Sequence, residues 1–304
     1  MKRQRKRNNY SWVMVCLLAI LVATITICAF LLMNPKQDES DVQPSTGTAD
    51  GSSVDGGGKP LLDKIDLQPV VDEWVASVRD KKGVYIYDLD LNQVVGSYHA
   101  DEVFETASLY KLFVVYEGYK KVESGEWKAD APAGATGHTI LECLDLAIRE
   151  SDSVCAETLW DKIGTEKLEK IIVEDYGLSD TSAENFSSTP AEVGRMMEMF
   201  YRYRGIEDDV VLAQMKDSFI NQPNTEYNWR QGLPSGFEVA NVYDKVGWEY
   251  DDKTGNWRAY NDAAIVEYPE KDRHFVVVVM TSGVGFDQIK RFGQMLEQQI
   301  LSTY

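Results

Sequence analysis

An uncharged run from Trp12 to Met33 decides where the rest of this chain must fold. At a rise of about 1.5 Å per residue, a helix of this length crosses a hydrocarbon core of roughly 30 Å. Five Lys and Arg residues precede the run, and positive charge in such a position holds the preceding segment in the cytoplasm. The sequence therefore predicts a cytoplasmic basic segment at 1–10, a transmembrane anchor at 11–33, and export of the residues that follow.

A cleaved signal peptide is the alternative interpretation of the same run. It would need a shorter apolar core and a cleavage site of small residues. Ala29 to Met33 offers no such site, and Ile27 is larger than the small residue expected before a lipidated cysteine at position 28. An uncleaved anchor is the interpretation that fits better.

Two segments follow the anchor. Residues 34–60 are rich in Asp, Ser, Thr, Gly and Pro and have almost no apolar side chains, so they are expected to form a flexible linker. Residues 61–304 are expected to form one folded domain. The formal net charge of −18 would repel a phosphate backbone, which argues against nucleic acid as a partner.

Four cysteines are present, and two of them, Cys16 and Cys28, lie in the expected anchor. Cys143 and Cys155 lie in apolar, helix-like surroundings, and two buried free thiols are the favoured interpretation. A disulfide between them remains open in an oxidising compartment. There is no C-x-x-C pair and no metal-ligand spacing, so no cofactor is expected.

The order of the apolar patterns predicts the fold class. Strands come first, at Val84–Tyr87 and Val94–Tyr98; a long, mostly helical stretch covers about 106–217; and strands return at 239–250, 258–268 and 274–280 before a closing helix at about 287–301. Such an order indicates a single α+β domain. Its antiparallel sheet would have about five strands, flanking helices, and a large helical insertion between its two halves.

The first candidate for chemistry is Ser108-Leu109-Tyr110-Lys111, which opens an apolar helix. Residues three apart share a helix face, so the amine of Lys111 would lie one turn from the hydroxyl of Ser108. A serine needs a neighbouring base to act as a nucleophile, and a desolvated lysine can serve as that base. An ordinary helix N-terminus is the alternative.

The second candidate, Ser151-Asp152-Ser153, occupies a polar break between two helix-like runs. The hydroxyl of Ser151 could relay a proton to a leaving amine. A helix N-cap is the alternative for the same residues.

The third candidate, Lys245-Val246-Gly247, lies on a late strand. Lys245 could supply positive charge to a substrate carboxylate, and the backbone N–H of Trp248, together with that of Ser108, could stabilise an oxyanion. A solvated lysine followed by a packing glycine is the alternative. A second K-T-G match, Lys253-Thr254-Gly255, lies between two strands and is interpreted as a hairpin turn.

Together these three elements resemble the S-x-x-K, S-D-N and K-T-G set of the class A β-lactamases and penicillin-recognising serine hydrolases. The resemblance covers about 82–301, and three further phrases carry it: Phe104-Glu105-Thr106-Ala107, Ser188-Thr189-Pro190-Ala191 and Tyr260-Asn261-Asp262-Ala263-Ala264-Ile265-Val266. It implies a β-lactamase/transpeptidase-like fold. It also implies that Ser108, Lys111 and Ser151 are catalytic, and that Ser153, Lys245, Gly247 and Trp248 bind the substrate.

This sequence departs from the family pattern at three points. Val246 replaces a hydroxyl that helps to hold the substrate carboxylate, and Ser153 replaces an asparagine that contacts the acylamido group. Class A enzymes also use a loop glutamate to activate the hydrolytic water, and here Glu184 is the candidate, with a surface carboxylate as the alternative. Deacylation is therefore expected to be slower than acylation.

Two functions remain after these observations. The leading hypothesis is an extracytoplasmic serine hydrolase that is acylated by β-lactams or by peptidoglycan-type D-amino-acid peptide amides. The alternative is a catalytically silent module that holds a cell-wall peptide or a protein partner in the same cleft.

Overall fold

A computed structural model of the protein describes residues 64–203 and 230–304. The segments predicted at 1–10, 11–33 and 34–60 lie outside the described residues. Among the helices that the structure does describe, none is both long and apolar enough to cross a bilayer.

Helices and strands occur in the order that the sequence predicts. The helices of the described ranges are α1 Gln68–Ser77, α2 Tyr110–Glu123, α3 Ile140–Arg149, α4 Ser153–Ile163, α5 Thr165–Lys170, α6 Pro190–Arg202, α7 Leu233–Gly236 and α8 Phe286–Thr303. The strands are β1 Lys81–Asp88, β2 Gln93–Tyr98, β3 Phe104–Glu105, β4 Ser187–Ser188, β5 Asn241–Asp251, β6 Asn256–Tyr268 and β7 Arg273–Ser282. Short 3₁₀ turns at Ala107–Leu109 and Pro269–Lys271 and a π-helical turn at Ile171–Asp175 complete the list.

Five of the strands form one antiparallel sheet in the order β2-β1-β7-β6-β5. The two halves of the chain meet where β1 pairs with β7, with Val84 opposite Val279. The helical stretch is inserted between β2 and β5. The predicted α+β class, with an antiparallel sheet of five strands and a large helical insertion, is confirmed.

The two faces of the sheet bury separate apolar clusters. Along β7, Val277 and Val279 pack with the cluster that includes α1 and α8, while Val276 and Val278 pack with the cluster of the inserted helices. This alternation follows from the two-residue period of a strand. Lys245 of β5 lies on the second face, and its amine contacts the helical insertion at Ser151.

A disulfide joins Cys143 of α3 to Cys155 of α4, so the expectation of two free thiols is wrong. The chain reverses direction between these helices, and the two buried sulfur atoms then face each other. Chain spacing of 12 residues does not reveal this, because it depends on how two helices turn against one another. The bond closes a ring that contains Ser151.

The interpretation of Lys253-Thr254-Gly255 as a hairpin turn is confirmed. These residues connect β5 to β6, and the carboxylate of Asp251 accepts a hydrogen bond from the backbone N–H of Lys253 at 2.9 Å. Gly255 has φ +72°, a conformation that favours glycine. Lys245 is therefore the strand lysine.

Candidate active site

Ser108 lies in the 3₁₀ turn that leads into α2, and the residue before it is strained. Ala107 has φ +44°, which is uncommon for a residue with a side chain. Strain of this kind persists where the surroundings hold the backbone in place. Here the side-chain amide of Asn261 donates to the carbonyl oxygens of Glu105 and Thr106 at 2.8 and 3.1 Å.

Lys111 is fully buried one turn after Ser108, and its amine is the centre of a compact polar group. Nζ lies 3.2 Å from Oγ of Ser108, 3.2 Å from Oγ of Ser151 and 3.1 Å from Oγ of Ser153. It also donates to the carbonyl oxygen of Ser151 at 2.5 Å. One amine therefore contacts all three serine hydroxyls that the sequence singled out.

Burial lowers the pKa of Lys111 to about 8, because an ammonium ion loses its hydration in this position. The negative charges of Asp152 and Glu157 act in the opposite direction and raise the pKa, but their effect is smaller than that of burial. About a tenth of the amine is therefore neutral at pH 7 and able to accept a proton.

Ser151 connects the two lysines of the site. It has φ +57°, and its Oγ lies 3.2 Å from Nζ of Lys111 and 2.9 Å from Nζ of Lys245. The N-cap role that was the alternative for this segment belongs to its neighbour Asp152, whose carboxylate accepts from the N–H of Cys155 at 2.7 Å. The N-cap interpretation is thus confirmed for Asp152, while the proton relay through Ser151 stays a prediction.

Lys245 is fully buried on β5, and its side chain points toward the inserted helices. Nζ donates to Oγ of Ser151 at 2.9 Å and to the carbonyl oxygen of Val246 at 2.6 Å. Burial lowers the pKa of Lys245 well below its ordinary value, and the nearby charge of Lys111 lowers it further. A substrate carboxylate placed beside this amine would raise its pKa again.

Gly247 lets β5 run directly against the turn that carries Ser108. A Cβ at this position would lie 2.5 Å from the carbonyl oxygen of Thr106 and 2.9 Å from the backbone nitrogen of Leu109. Only glycine fits such an approach. Trp248 follows immediately on the same strand, which is an edge of the sheet, and the role of its N–H in stabilising an oxyanion stays a prediction.

Val246 is buried in the cluster that packs against α1 and α8, on the opposite face of the sheet from Lys245. Its side chain takes no part in the polar group described above. The hydroxyl that the resemblance places here has no equivalent at this position of the chain.

In the described residues no hydrogen bond joins Glu184 to this polar group, although its loop contacts the serine turn: the N–H of Thr106 donates to the carbonyl oxygen of Phe186 at 2.7 Å. Glu184 is exposed in the loop Ser182–Ser187, and its backbone N–H donates to a carboxylate oxygen of Glu169 at 2.6 Å. It lines an open pocket together with Trp160, Thr165, Glu166 and Glu169. This pocket lies near the C-terminal end of α4, because Thr165 follows that helix. The contact between Ser153 and Lys111 is at the N-terminal end of the same helix.

Sequence reasoning missed the role of Asn261. Its amide holds the two residues before the serine turn, and its Oδ1 accepts from the backbone N–H of Thr281 at 3.0 Å. The available signal was an asparagine just before the apolar run Ala263–Val266 of a late strand, because a buried amide needs partners. In the described part of the chain, no group of His, Cys, Asp and Glu side chains is arranged to hold a metal ion.

Sequence comparison links the chain to known proteins over most of this domain. The profile of the "Beta-lactamase enzyme family" matches residues 66–300. "Beta-lactamase 3" of Bacillus cereus is 25% identical over 222 residues, which are 63% of this chain and 66% of that protein. "Beta-lactamase" of Bacillus subtilis (strain 168) is 24% identical over 225 residues, 66% of this chain and 71% of that protein. The chain thus spans about two thirds of the length of each relative.

Solved structures share the fold. A β-lactamase from Chitinophaga pinensis DSM 2588 superposes with a TM-score of 0.65 at 16% identity, covering 76% of this chain and 97% of that chain. A class A β-lactamase reconstructed for the last common ancestor of Gram-negative bacteria gives 0.64 at 17% identity, covering 78% and 99%. Identities of this size show a common architecture and nothing finer.

Proposed function

Because this chain belongs to the β-lactamase enzyme family, we propose that it is a class A-type serine hydrolase. Its substrates are β-lactams or related D-amino-acid peptide amides, and Ser108 forms the acyl-enzyme. The observation that carries the proposal is the amine of Lys111, fully buried and 3.2 Å from Oγ of Ser108. A buried lysine whose pKa is lowered to about 8 and whose amine lies beside a serine hydroxyl suits a general base.

The contacts that run from Ser108 through Lys111 to Ser151 suggest the proton transfers of acylation. Neutral Lys111 takes the proton of Ser108, and Oγ attacks the carbonyl carbon of the cyclic or peptide amide. The backbone N–H groups of Ser108 and Trp248 stabilise the oxyanion. Ser151 donates its proton to the leaving nitrogen as the C–N bond breaks, and it recovers a proton from the ammonium of Lys111. Lys245 supplies charge to the substrate carboxylate.

An extracytoplasmic location completes the proposal. The uncharged run at 11–33, preceded by basic residues, supports a single membrane anchor with the domain outside the cytoplasm. The disulfide between Cys143 and Cys155 supports the same location, because such bonds persist in oxidising compartments. Peptidoglycan-type peptides and β-lactams are both encountered there.

Nitrocefin tests this function when colour and intact-protein mass are followed together on the full-length chain in detergent. Sustained turnover, or a stoichiometric mass adduct, is expected, and either signal should disappear in Ser108→Ala. A wild-type protein that gives neither colour nor adduct would contradict the proposal. The natural departures from the family pattern at Val246 and Ser153 would then favour a catalytically silent module that only binds a cell-wall peptide.

A further inference from the structure

One face of α4 is directed at the candidate site. Ser153 and Trp160 mark its two ends, because Oγ of Ser153 lies 3.1 Å from Nζ of Lys111 and the ring of Trp160 lies 5.3 Å from the ring of Tyr110. Glu157 is four residues after Ser153 and three before Trp160, so it lies on the same helical face. Its position is between the lysine contact and the tyrosine contact.

The charge of Glu157 is felt by both residues that α4 contacts. It acts to raise the pKa of Lys111 against the larger, lowering effect of burial. The pKa of Tyr110 is raised by burial and then by the charge of Glu157. The side chain itself is exposed, and so its carboxylate is open to water while facing the residues next to the nucleophile.

Other nearby carboxylates of the described chain are already engaged. Asp152 caps α4 by accepting from the N–H of Cys155. Glu105, three residues before the nucleophile, pairs with Arg258 at 2.7 Å. The exposed side chain of Glu184 lines the open pocket that also includes Trp160, at the far end of α4 from Ser153. An ion-paired or capping carboxylate is a weaker base, because protonation breaks the interaction that holds it.

We propose that Glu157, on α4, is the general base of deacylation. The sequence assigned this role to Glu184 in the loop Ser182–Ser187. This inference rests on the proposed function, since it needs an acyl-enzyme on Ser108. Glu157 removes a proton from a water molecule as the water oxygen bonds to the acyl carbon. Lys111 is neutral after acylation, so the proton on Glu157 passes first to Lys111. As the bond between the acyl carbon and Oγ of Ser108 breaks, Lys111 passes a proton to Oγ, which restores the starting state.

The test is Glu157→Gln in the full-length chain with nitrocefin, which separates the two chemical steps. Acylation, followed as the initial burst, should stay within about twofold of wild type. Deacylation should slow by about 100-fold or more, which is the usual contribution of a positioned base, so the adduct accumulates in intact-mass spectra. Glu166→Gln is the matched control: it makes the same change on the exposed first turn of α5 and should behave as wild type.

Glu157→Asp distinguishes a base from a structural role, because it keeps the carboxylate and should recover part of the lost turnover. Wild-type turnover in Glu157→Gln would overturn the inference, and so would equal losses in both steps. If the adduct accumulates in Glu184→Gln instead, the general base of deacylation lies in the loop. A wild-type adduct that never hydrolyses would also overturn the inference about Glu157. If wild-type protein forms no adduct and shows no turnover, the proposed function itself is contradicted. The wild-type sample therefore tests the proposed function, and the variants test the role of Glu157.

Discussion

The serine centre, formed by Ser108, Lys111, Ser151 and Lys245, and the neighbouring loop Ser182–Ser187 differ in construction. Both lysines of the centre are fully buried, and each contacts two or more polar groups at 2.5–3.2 Å. The loop is closed by a pair of backbone hydrogen bonds between Ser182 and Ser187, residues 184–186 are exposed, and the carbonyl oxygen of Phe186 accepts from the N–H of Thr106 at 2.7 Å.

This difference separates the groups that serve acylation from the loop in which the sequence placed the candidate water-activating glutamate. Reactive groups held by helices and strands are positioned more accurately than groups held by loops. The serine centre is built from a helix start, a helix–helix connection and a strand, and these parts serve acylation. In the loop the backbone N–H of Glu184 donates to a carboxylate oxygen of Glu169, and the side chain of Glu184 is exposed. Acylation should therefore be sensitive to changes in the centre and insensitive to changes in the loop.

Replacing Lys111 should change the acylation rate more than removing the disulfide or changing the loop. Lys111→Met removes the base, and we expect acylation to slow by about 10³-fold, within the range for a positioned general base. Lys111→Arg should be comparably slow, because arginine keeps the charge but does not release its proton. Rapid-mixing measurements with nitrocefin give the rate constant, and Lys128→Met, an exposed lysine, serves as the control. A fast Lys111→Arg variant would show that charge, rather than basicity, is what the site needs.

Removing the disulfide should loosen the centre through the segment that carries Ser151. A ring of this size contributes about 3 kcal/mol to the free energy of unfolding. Replacing both Cys143 and Cys155 by alanine should therefore lower the melting temperature by about 6–12 °C. Dithiothreitol should produce a similar shift in wild type and none in the double variant. An unchanged wild-type melting curve in dithiothreitol would argue against a bond that supports this region.

The sequence predicted most of the fold because its information is local. The apolar run Val84–Tyr87 lies within a strand of the structure, and Lys111 contacts Ser108 one helical turn away, as the sequence predicts. The pairing of the two cysteines depends on the rotation of α3 against α4, which no spacing encodes. Glu157 was overlooked for a related reason: a polar residue on an amphipathic helix is usually a solvated one, and only the docked position of α4 directs it at the site.

The pH dependence of acylation should reveal the buried amine. Burial lowers the pKa of Lys111 to about 8, and only the neutral amine accepts a proton. The rate should therefore rise with pH and level off above pH 8; at pH 6 it should be about 100-fold below the plateau, tenfold for each unit. Burst rates measured between pH 5.5 and 9.5 test this, with melting curves at each pH to confirm folding. A flat profile would remove Lys111 as the base.

Changing the loop should have the smallest effect. Glu184→Gln alters an exposed side chain in a separate pocket, and we expect burst and steady-state rates to stay within about twofold of wild type. Surface substitutions of this kind usually change stability by less than about 0.5 kcal/mol. A large loss of steady-state turnover with an intact burst would return the hydrolytic role to the loop, as the sequence originally suggested.

The most direct measurement is the position of the covalent adduct. Wild-type protein is treated with a penicillin, digested, and mapped by tandem mass spectrometry. The account predicts one modified peptide, with the penicilloyl group on Ser108, at a stoichiometry that falls when Lys111 is replaced. An adduct on Ser151 or on a lysine, or no adduct at any residue, would contradict the assignment of Ser108 as the nucleophile.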